Sequence, residues 1–206
     1  MLAGTLEKKQ VEKKHGETRG HVIMNDLQSD MALMQRISRH DEAAFHQLYE
    51  MYGQRMFAYA YRLTNDPILA EDIMQDSLVS VWDSAKSYRG SSRLLTWLLG
   101  IVHHISTKSF RHSNQSITEE MENSVPDHSP MPEEWMQSRE RIRILQAGME
   151  KLSPDHRAVL DLVFYQGLSL NETAEVCGCP VGIVKSRLSY ARNFLKGVLT
   201  RQEDLL

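Results

Sequence analysis

The chain has 206 residues, 41% of them hydrophobic, and its 24 Lys and Arg against 27 Asp and Glu give a net charge of −3. This length and composition suffice for one domain or two small ones, and the overall charge alone does not indicate a nucleic-acid binder. No apolar run approaches the length of a membrane-spanning helix, and two cysteines are too few for a closed four-ligand zinc site. Neither membrane insertion nor a metal or other cofactor is therefore expected.

The first predicted domain, residues 28–112, follows an N-terminal extension over residues 1–27 that is expected to be disordered. The extension is rich in Lys and Glu and lacks the apolar core of a signal peptide. Asp41 and Asp66 are favourable helix caps, and Pro67 suits the first position of a helix. Apolar residues at three- and four-residue spacing then predict helices over 28–38, 41–63, 67–85 and 94–110.

Charge is distributed unevenly along the chain. From Ser84 to Thr118 there are five basic residues, three histidines and no acid, whereas from Glu119 to Glu134 there are six acids and no Lys or Arg. The acidic stretch also contains three prolines and little apolar material, so residues 113–136 are predicted to form a flexible acidic linker. The average charge therefore conceals two positive regions, the second near the C-terminus, separated by a negative one.

The most informative motif lies near the C-terminus. Ser169 and Glu172 have capping-box spacing, Gly178 breaks the short helix that they start, and Pro180 suits the first position of the next helix. From Val181 to Gln202 there are five basic residues and no acidic one. This layout predicts a helix-turn-helix with a DNA-reading second helix; the alternative is an ordinary solvated basic helix. A second domain is predicted over 137–200, with helices over 137–151, 154–165, 170–177 and 181–199 and a tail over 201–206.

The cysteines and the paired histidines do not predict a metal site. Cys177 and Cys179 flank Gly178 and are expected to be small buried residues, with a redox or metal sensor as the alternative. His103 and His104 are neighbours on a predicted helix, so they point about 100° apart and cannot chelate one ion. The fold class predicted from all these elements is all-α, with two small helical domains and no strand.

Both domains resemble bacterial sigma factors. The second resembles region four, through the run from Leu152, LSPDHRAVLDLVFYQGLSLNETAEVCGCPVGIVKSRLSYAR. The first resembles region two, through Ala70–Asp76 with Val81-Trp82, and through Tyr88–Gly90 with Thr96–Leu98. Two such regions without a region three between them are similar to the extracytoplasmic-function group of the sigma-70 family. The resemblance covers about residues 31–199.

The resemblance implies a non-enzymatic promoter-specificity subunit that binds core RNA polymerase and promoter DNA. Docking on the β′ clamp helices, with the β flap as a further contact, would involve one stripe of the third helix. That stripe comprises Asp72, Gln75, Asp76 and Val79. Its spacing also fits a solvated acidic face, which is the alternative.

The resemblance also implies two sets of DNA-binding residues. The minus-ten set, in which a loop captures a flipped base, comprises Tyr88, Arg89, Ser91, Ser92, Arg93, His104, Lys108 and Arg111. The minus-thirty-five set comprises Lys185, Ser186, Arg187, Ser189, Tyr190 and Arg192. Lys185 is the best candidate for a base-edge contact, a phosphate contact being the alternative.

Two other function classes are alternatives to a sigma factor. A stand-alone helix-turn-helix regulator with a sensory helical domain would bind duplex DNA as a dimer, but it has no reason to hold the region-two segments. A metal-dependent enzyme lacks a ligand set and a nucleophile–base pair. The sigma-factor resemblance further implies control by an anti-sigma factor and a cytoplasmic location.

Overall fold

The computed structural model of the chain describes residues 28–113 and 143–203, in which every regular element is helical and none is a strand. The all-α prediction is therefore confirmed. The predictions for residues 1–27, for the linker beyond Ser113 and for residues 204–206 lie outside the described residues. The first domain contains α1 (28–37), α2 (Glu42–Thr64), α3 (Pro67–Ser84) and α4 (Leu94–Ser113). The second contains α5 (143–150), α6 (Pro154–Leu160), α7 (Leu170–Cys177) and α8 (Val181–Glu203).

Local capping chemistry sets the helix boundaries of the first domain. A carboxylate oxygen of Asp41 accepts a hydrogen bond from the Ala44 N–H at 3.0 Å, which starts α2. Asp66 accepts from the N–H groups of Ile68 and Leu69 at 2.8 and 3.2 Å, and Pro67 occupies the first turn of α3. These bonds satisfy amide groups that a helix start would otherwise leave unpaired.

The spacing of apolar residues on α2 predicts one stripe, made of Phe45, Leu48, Tyr49, Tyr52, Met56, Ala60 and Leu63, and the structure differs from it in one respect. Tyr49, expected on the buried stripe, is 47% exposed, whereas Tyr59 is fully buried. Neighbouring helical residues point about 100° apart, so Tyr49 turns away because the adjacent Leu48 faces the core. Leu94, Leu98 and the other inward residues of α4 complete this core.

The second domain begins its helix-turn-helix with the predicted capping box. The Ser169 hydroxyl accepts from the Glu172 N–H at 3.3 Å, and the Glu172 carboxylate accepts from the Ser169 N–H at 2.8 Å. Gly178 ends α7 with a φ of 60°, a left-handed conformation that glycine adopts without steric cost. α8 extends to Glu203, so the predicted helix end at residue 199 is wrong, because no glycine or proline stops the helix there.

One stretch of the second domain departs from regular α-helix. α6 ends at Leu160 and continues as a single π-helical turn, Asp161–Tyr165, closed by a hydrogen bond from the Gln166 N–H to the Asp161 carbonyl at 2.9 Å. The sequence predicted one continuous helix over 154–165. Single π turns are rare and often mark functional positions.

We expect Ser169→Ala to destabilise the chain by about 1 kcal/mol, because it removes the side-chain acceptor of the capping box. For a chain of this size this corresponds to a fall of about 2–4 °C in Tm, measured by circular dichroism. Ser153→Ala is the matched control, since Ser153 precedes α6 at the same position but its hydroxyl bonds the His156 ring nitrogen at 2.6 Å and caps no backbone N–H. An equal loss in both variants would contradict the assigned role of the capping box.

The two domains pack against each other. Their buried apolar residues form one cluster, which joins Leu48, Leu98 and their neighbours to Ala158, Leu162 and Val176 of the second domain. Patterning predicted an apolar face on each helix but gave no sign that the two domains share a core. Within the described segments, no helix is both long and apolar enough to cross a bilayer.

Candidate nucleic-acid interface

The exposed side of α3 carries the predicted polymerase-binding residues. Asp72, Gln75, Asp76 and Val79 are all exposed, and 60% of the Val79 surface is accessible to solvent. Ile73, on the other side of the helix, is buried in the core. Carboxylates around an uncovered valine offer a protein partner both negative charge and apolar surface.

The loop before α4 is built around a buried tyrosine. Tyr88 is only 9% exposed; its hydroxyl donates to the Ser92 carbonyl at 2.9 Å, and its ring centre lies 5.6 Å from that of Trp97. Burial, assisted by the nearby charge of Asp30, raises the pKa of Tyr88 to about 12, so the hydroxyl stays protonated. Tyr88 therefore shapes the loop from inside.

The other predicted minus-ten residues lie nearer the surface. In the loop, Arg89, Ser91 and Arg93 are exposed and Ser92 is half-buried. On α4, His104 and Lys108 are exposed and share one face of the helix at four-residue spacing. Arg111 belongs to α4, but its side chain lies outside the described residues.

His103 faces inward, unlike its neighbour His104. The distance between His103 Nδ1 and the Tyr59 hydroxyl is 2.9 Å, and the two rings stack with centres 6.3 Å apart. Burial lowers the pKa of His103 from its ordinary value, which favours the neutral imidazole. His103 is therefore a half-buried residue held against Tyr59, and the lowered pKa opposes a positive charge there.

We expect Gly90→Ala to destabilise the first domain by about 1–2 kcal/mol, because φ at Gly90 is +69° and a side chain is strained there. An added Cβ would also lie 2.8 Å from the sulfur of Met31. The expected fall in Tm is about 2–8 °C.

The matched control for this substitution is Gly100→Ala. Gly100 lies inside α4 with nothing within 4 Å of an added Cβ, so alanine there is expected to stabilise the helix slightly. If the Tm of Gly90→Ala equals or exceeds that of the unmodified chain, the loop does not depend on the left-handed glycine.

The start of α8 presents most of the predicted minus-thirty-five residues to solvent. Val184 and Ala191 are fully buried and hold the opposite face against the domain core. The exposed members of the set are Lys185, Ser186, Ser189, Tyr190 and Arg192. The helix thus places two cations, two hydroxyls and a tyrosine where a major groove could receive them.

Arg187 differs from the rest of the set because it has a partner inside its own domain. Its guanidinium forms an ion pair with Asp155 at the start of α6 and lies 3.9 Å from the Cys179 sulfur. A guanidinium that is already paired with a carboxylate has fewer free donors with which to bind a phosphate. This pairing was not predictable from the sequence, because the two residues lie 32 positions apart along the chain.

An open groove of about 850 Å³ lies beside the predicted DNA-reading residues. Its apolar wall includes Met149, Leu160 and Phe164, and its polar rim includes Lys185 and Arg192. Phe164 is 59% exposed and Tyr165 is 66% exposed, which is unusual for two adjacent large aromatic residues. Uncovered apolar surface of this kind is typical of a protein-binding site.

The cysteines do not form a reactive pair in the structure. Cys177 and Cys179 are both free thiols of intermediate exposure, and burial raises the pKa of Cys177 to about 12. A thiol with so high a pKa is a poor nucleophile and a poor metal ligand at neutral pH. Across the described ranges, no group of three or more His, Cys, Asp or Glu residues is placed to hold a metal ion.

A set of polar residues between the two domains was not predicted from the sequence. Arg62 Nε donates to the buried Asp161 carboxylate at 2.5 Å, and Arg55 donates to the carbonyl and side chain of Gln166 at 2.6 and 3.1 Å. The sequence does contain one indication of these contacts, because Asp161 lies among apolar residues on a helical face that should be buried. A buried carboxylate needs a hydrogen-bond or ion-pair partner.

Comparison with known proteins agrees with the two-domain organisation. The chain matches two protein families, Sigma-70 region 2 over residues 48–115 and Sigma-70, region 4 over residues 148–196. It is 30% identical to the ECF RNA polymerase sigma-E factor of Haemophilus influenzae, over 84% of this chain and 96% of that protein. It is 29% identical to the RNA polymerase sigma-H factor of Pseudomonas aeruginosa, over 84% and 94% of the two chains.

A solved structure has the same fold. The sigma factor RpoE from Bartonella quintana, in complex with the anti-sigma factor NepR, aligns with a TM-score of 0.61 at 26% identity. The alignment covers 76% of this chain and 96% of that one.

Proposed function

This chain belongs to the extracytoplasmic-function group of the sigma-70 family, and from that membership we propose how its surfaces divide the work of starting transcription. It is an alternative sigma factor, a non-enzymatic initiation factor that associates with RNA polymerase and promoter DNA. One observation supports this division of roles. The exposed acidic face lies on α3, whereas exposed cations lie on two other surfaces, one on each domain.

The acidic face of α3 is the surface for core polymerase. Asp72 and Asp76 would meet basic residues of the β′ clamp helices and set the orientation of docking, while Val79 would add apolar contact. All three side chains are exposed and lie on one side of the helix. The β flap would contact the second domain.

The loop before α4 and the exposed face of α4 form the surface for the melted minus-ten element. Arg89, Arg93 and Lys108 would bind phosphates, and Ser91, Ser92 and His104 offer hydrogen-bonding groups to an unpaired base. Tyr88 would hold the loop in shape through its bond to the Ser92 carbonyl. Capture of an unstacked base offsets the few kcal/mol that unstacking costs.

The start of α8 is the surface for the duplex minus-thirty-five element. Lys185, which is exposed, would reach a base edge, and Ser186, Ser189 and Tyr190 would be further groove-facing groups. Arg192 would contact a phosphate, and Arg187 would do so after releasing Asp155 or through its remaining donors.

An anti-sigma factor is the proposed regulator, and the cytoplasm is the proposed place of action. The related RpoE of Bartonella quintana was solved with an anti-sigma factor bound. The exposed aromatic residues Phe164 and Tyr165, beside the apolar groove, support a protein partner of the same kind here.

Reconstitution with core RNA polymerase tests the function directly. We expect the purified chain to give core polymerase specific open complexes on its own promoters, detected by permanganate reactivity of unpaired thymines. Core polymerase alone should give none. Tight binding of a dimer of this chain to duplex DNA, with no effect on polymerase, would instead indicate a stand-alone regulator.

A further inference from the structure

Tyr190 is an exposed residue of α8 whose ring is held by two other rings of the second domain. Its ring centre lies 4.5 Å from that of His156, with the two planes tilted by 40°. The ring centre of Phe194 lies 6.4 Å away, with the planes nearly parallel at 14°. Tyr190 is nevertheless 57% exposed. An aromatic side chain that is both supported and uncovered is suited to contact a partner.

Both supporting rings are themselves fixed within the second domain. The Nδ1 atom of His156 lies 2.6 Å from the hydroxyl of Ser153, at the start of α6. Phe194 is half-buried and packs against the apolar cluster that contains Ala191. Because these contacts are present before any DNA is bound, the ring of Tyr190 loses little conformational freedom when it meets a partner.

Tyr190 shares one face of α8 with other members of the minus-thirty-five set. Ser186 is exposed and lies four residues before Tyr190, which is about one turn of the helix. Arg187 lies three residues before Tyr190 and pairs with Asp155, the neighbour of His156 in the first turn of α6. This turn of α6 therefore contacts two side chains of the minus-thirty-five set.

We propose that Tyr190 reads the methyl group of a thymine in the minus-thirty-five duplex, and that His156 is the positioning residue that sets the tyrosine ring for this contact. The inference rests on the proposed function, because it requires α8 to lie in the major groove. In that groove thymine presents a C5-methyl group, which proteins recognise through apolar contact. The edge of a tyrosine ring supplies such apolar surface, whereas Lys185 would select the acceptors of guanine.

Replacement of thymine by uracil tests the proposal, because the two bases differ only by this methyl group. Core polymerase carrying the full-length chain first selects its preferred minus-thirty-five element from a randomised promoter library. Each thymine of the selected element, on either strand, is then replaced singly by deoxyuridine, and the affinity of the holoenzyme is measured by fluorescence anisotropy. We expect one position at which uracil lowers the affinity about fourfold, as the loss of one buried methyl group predicts.

Variants of the two rings assign this preference to its source. Tyr190→Ala and His156→Ala are expected to abolish it, whereas Tyr190→Phe and His156→Phe should retain it because they preserve the ring pair. Tyr61→Ala is the matched control and should also retain it. Tyr61 is exposed and stacks at 6.4 Å on Phe57, four residues away, as Tyr190 stacks on Phe194, but it lies in the first domain.

The ratio of the affinities for thymine and uracil separates positioning from a merely structural role. If His156→Ala weakens binding to both bases equally and leaves the ratio unchanged, His156 does not position the tyrosine. A selected element without a uracil-sensitive thymine, or a sensitivity that survives Tyr190→Ala, would overturn the role of Tyr190. Circular dichroism establishes that each variant is folded. If the wild-type holoenzyme enriches no minus-thirty-five element at all, the proposed function itself is refuted.

Discussion

Replacement of both Asp72 and Asp76 by lysine is expected to lower the affinity of the chain for core polymerase at least about 100-fold. Each substitution replaces an attraction to the basic clamp helices by a repulsion, and like charges placed together at an interface cost several kcal/mol. Both side chains are exposed on α3, so the fold should be unaffected. Affinity can be measured by fluorescence anisotropy of the labelled chain titrated with core enzyme.

The matched control reverses two acids elsewhere in the same domain. Glu42 and Glu50 are exposed on α2, and their replacement by lysine gives the same change in net charge. We expect less than a threefold effect from this control at moderate salt, because long-range charge alone is screened. If both double variants bind equally well, the polymerase lies on another face.

Lys185→Ala is expected to reduce initiation from promoters that depend on the minus-thirty-five element by about 10–100-fold. One good contact to a base edge is worth about 1–3 kcal/mol. Polymerase affinity should not change, since Lys185 lies on α8, far along the chain from the α3 face. The measurement is open-complex formation at limiting holoenzyme, compared across variants of the promoter.

Lys196→Ala is the control for this experiment, because Lys196 is exposed on the same helix three turns beyond Lys185. It should have a small effect that is equal for all promoter sequences. If the loss caused by Lys185→Ala is also the same for every base at the minus-thirty-five element, Lys185 contacts a phosphate and not a base. A fall in polymerase affinity would contradict the assignment of the second domain.

Local structure was largely predictable because short-range chemistry determines it. Asp41, Asp66 and Ser169 start helices through side-chain oxygens that accept backbone amides a few residues ahead, and this spacing is visible in the sequence. Gly178 ends α7 for an equally local reason. The boundaries of α7 were therefore predicted to the residue.

Contacts between distant residues were not predictable by the same reasoning. Patterning shows that Tyr88 could lie in a loop, but not that Trp97 and the Ser92 carbonyl would draw it inward. In the same way, the pairing of Arg187 with Asp155 depends on how two helices cross. The roles of these residues toward DNA stay predictions.

The core that the two domains share limits their modularity. Although each domain matches a family separately, Leu162, Leu168 and Val176 are covered in part by the first domain. A second domain expressed in isolation would present these side chains to water and tend to self-associate. A chimera could instead join the second domain of this chain to the first domain of another sigma factor. That first domain would need a matching apolar surface and arginines at the positions of Arg55 and Arg62.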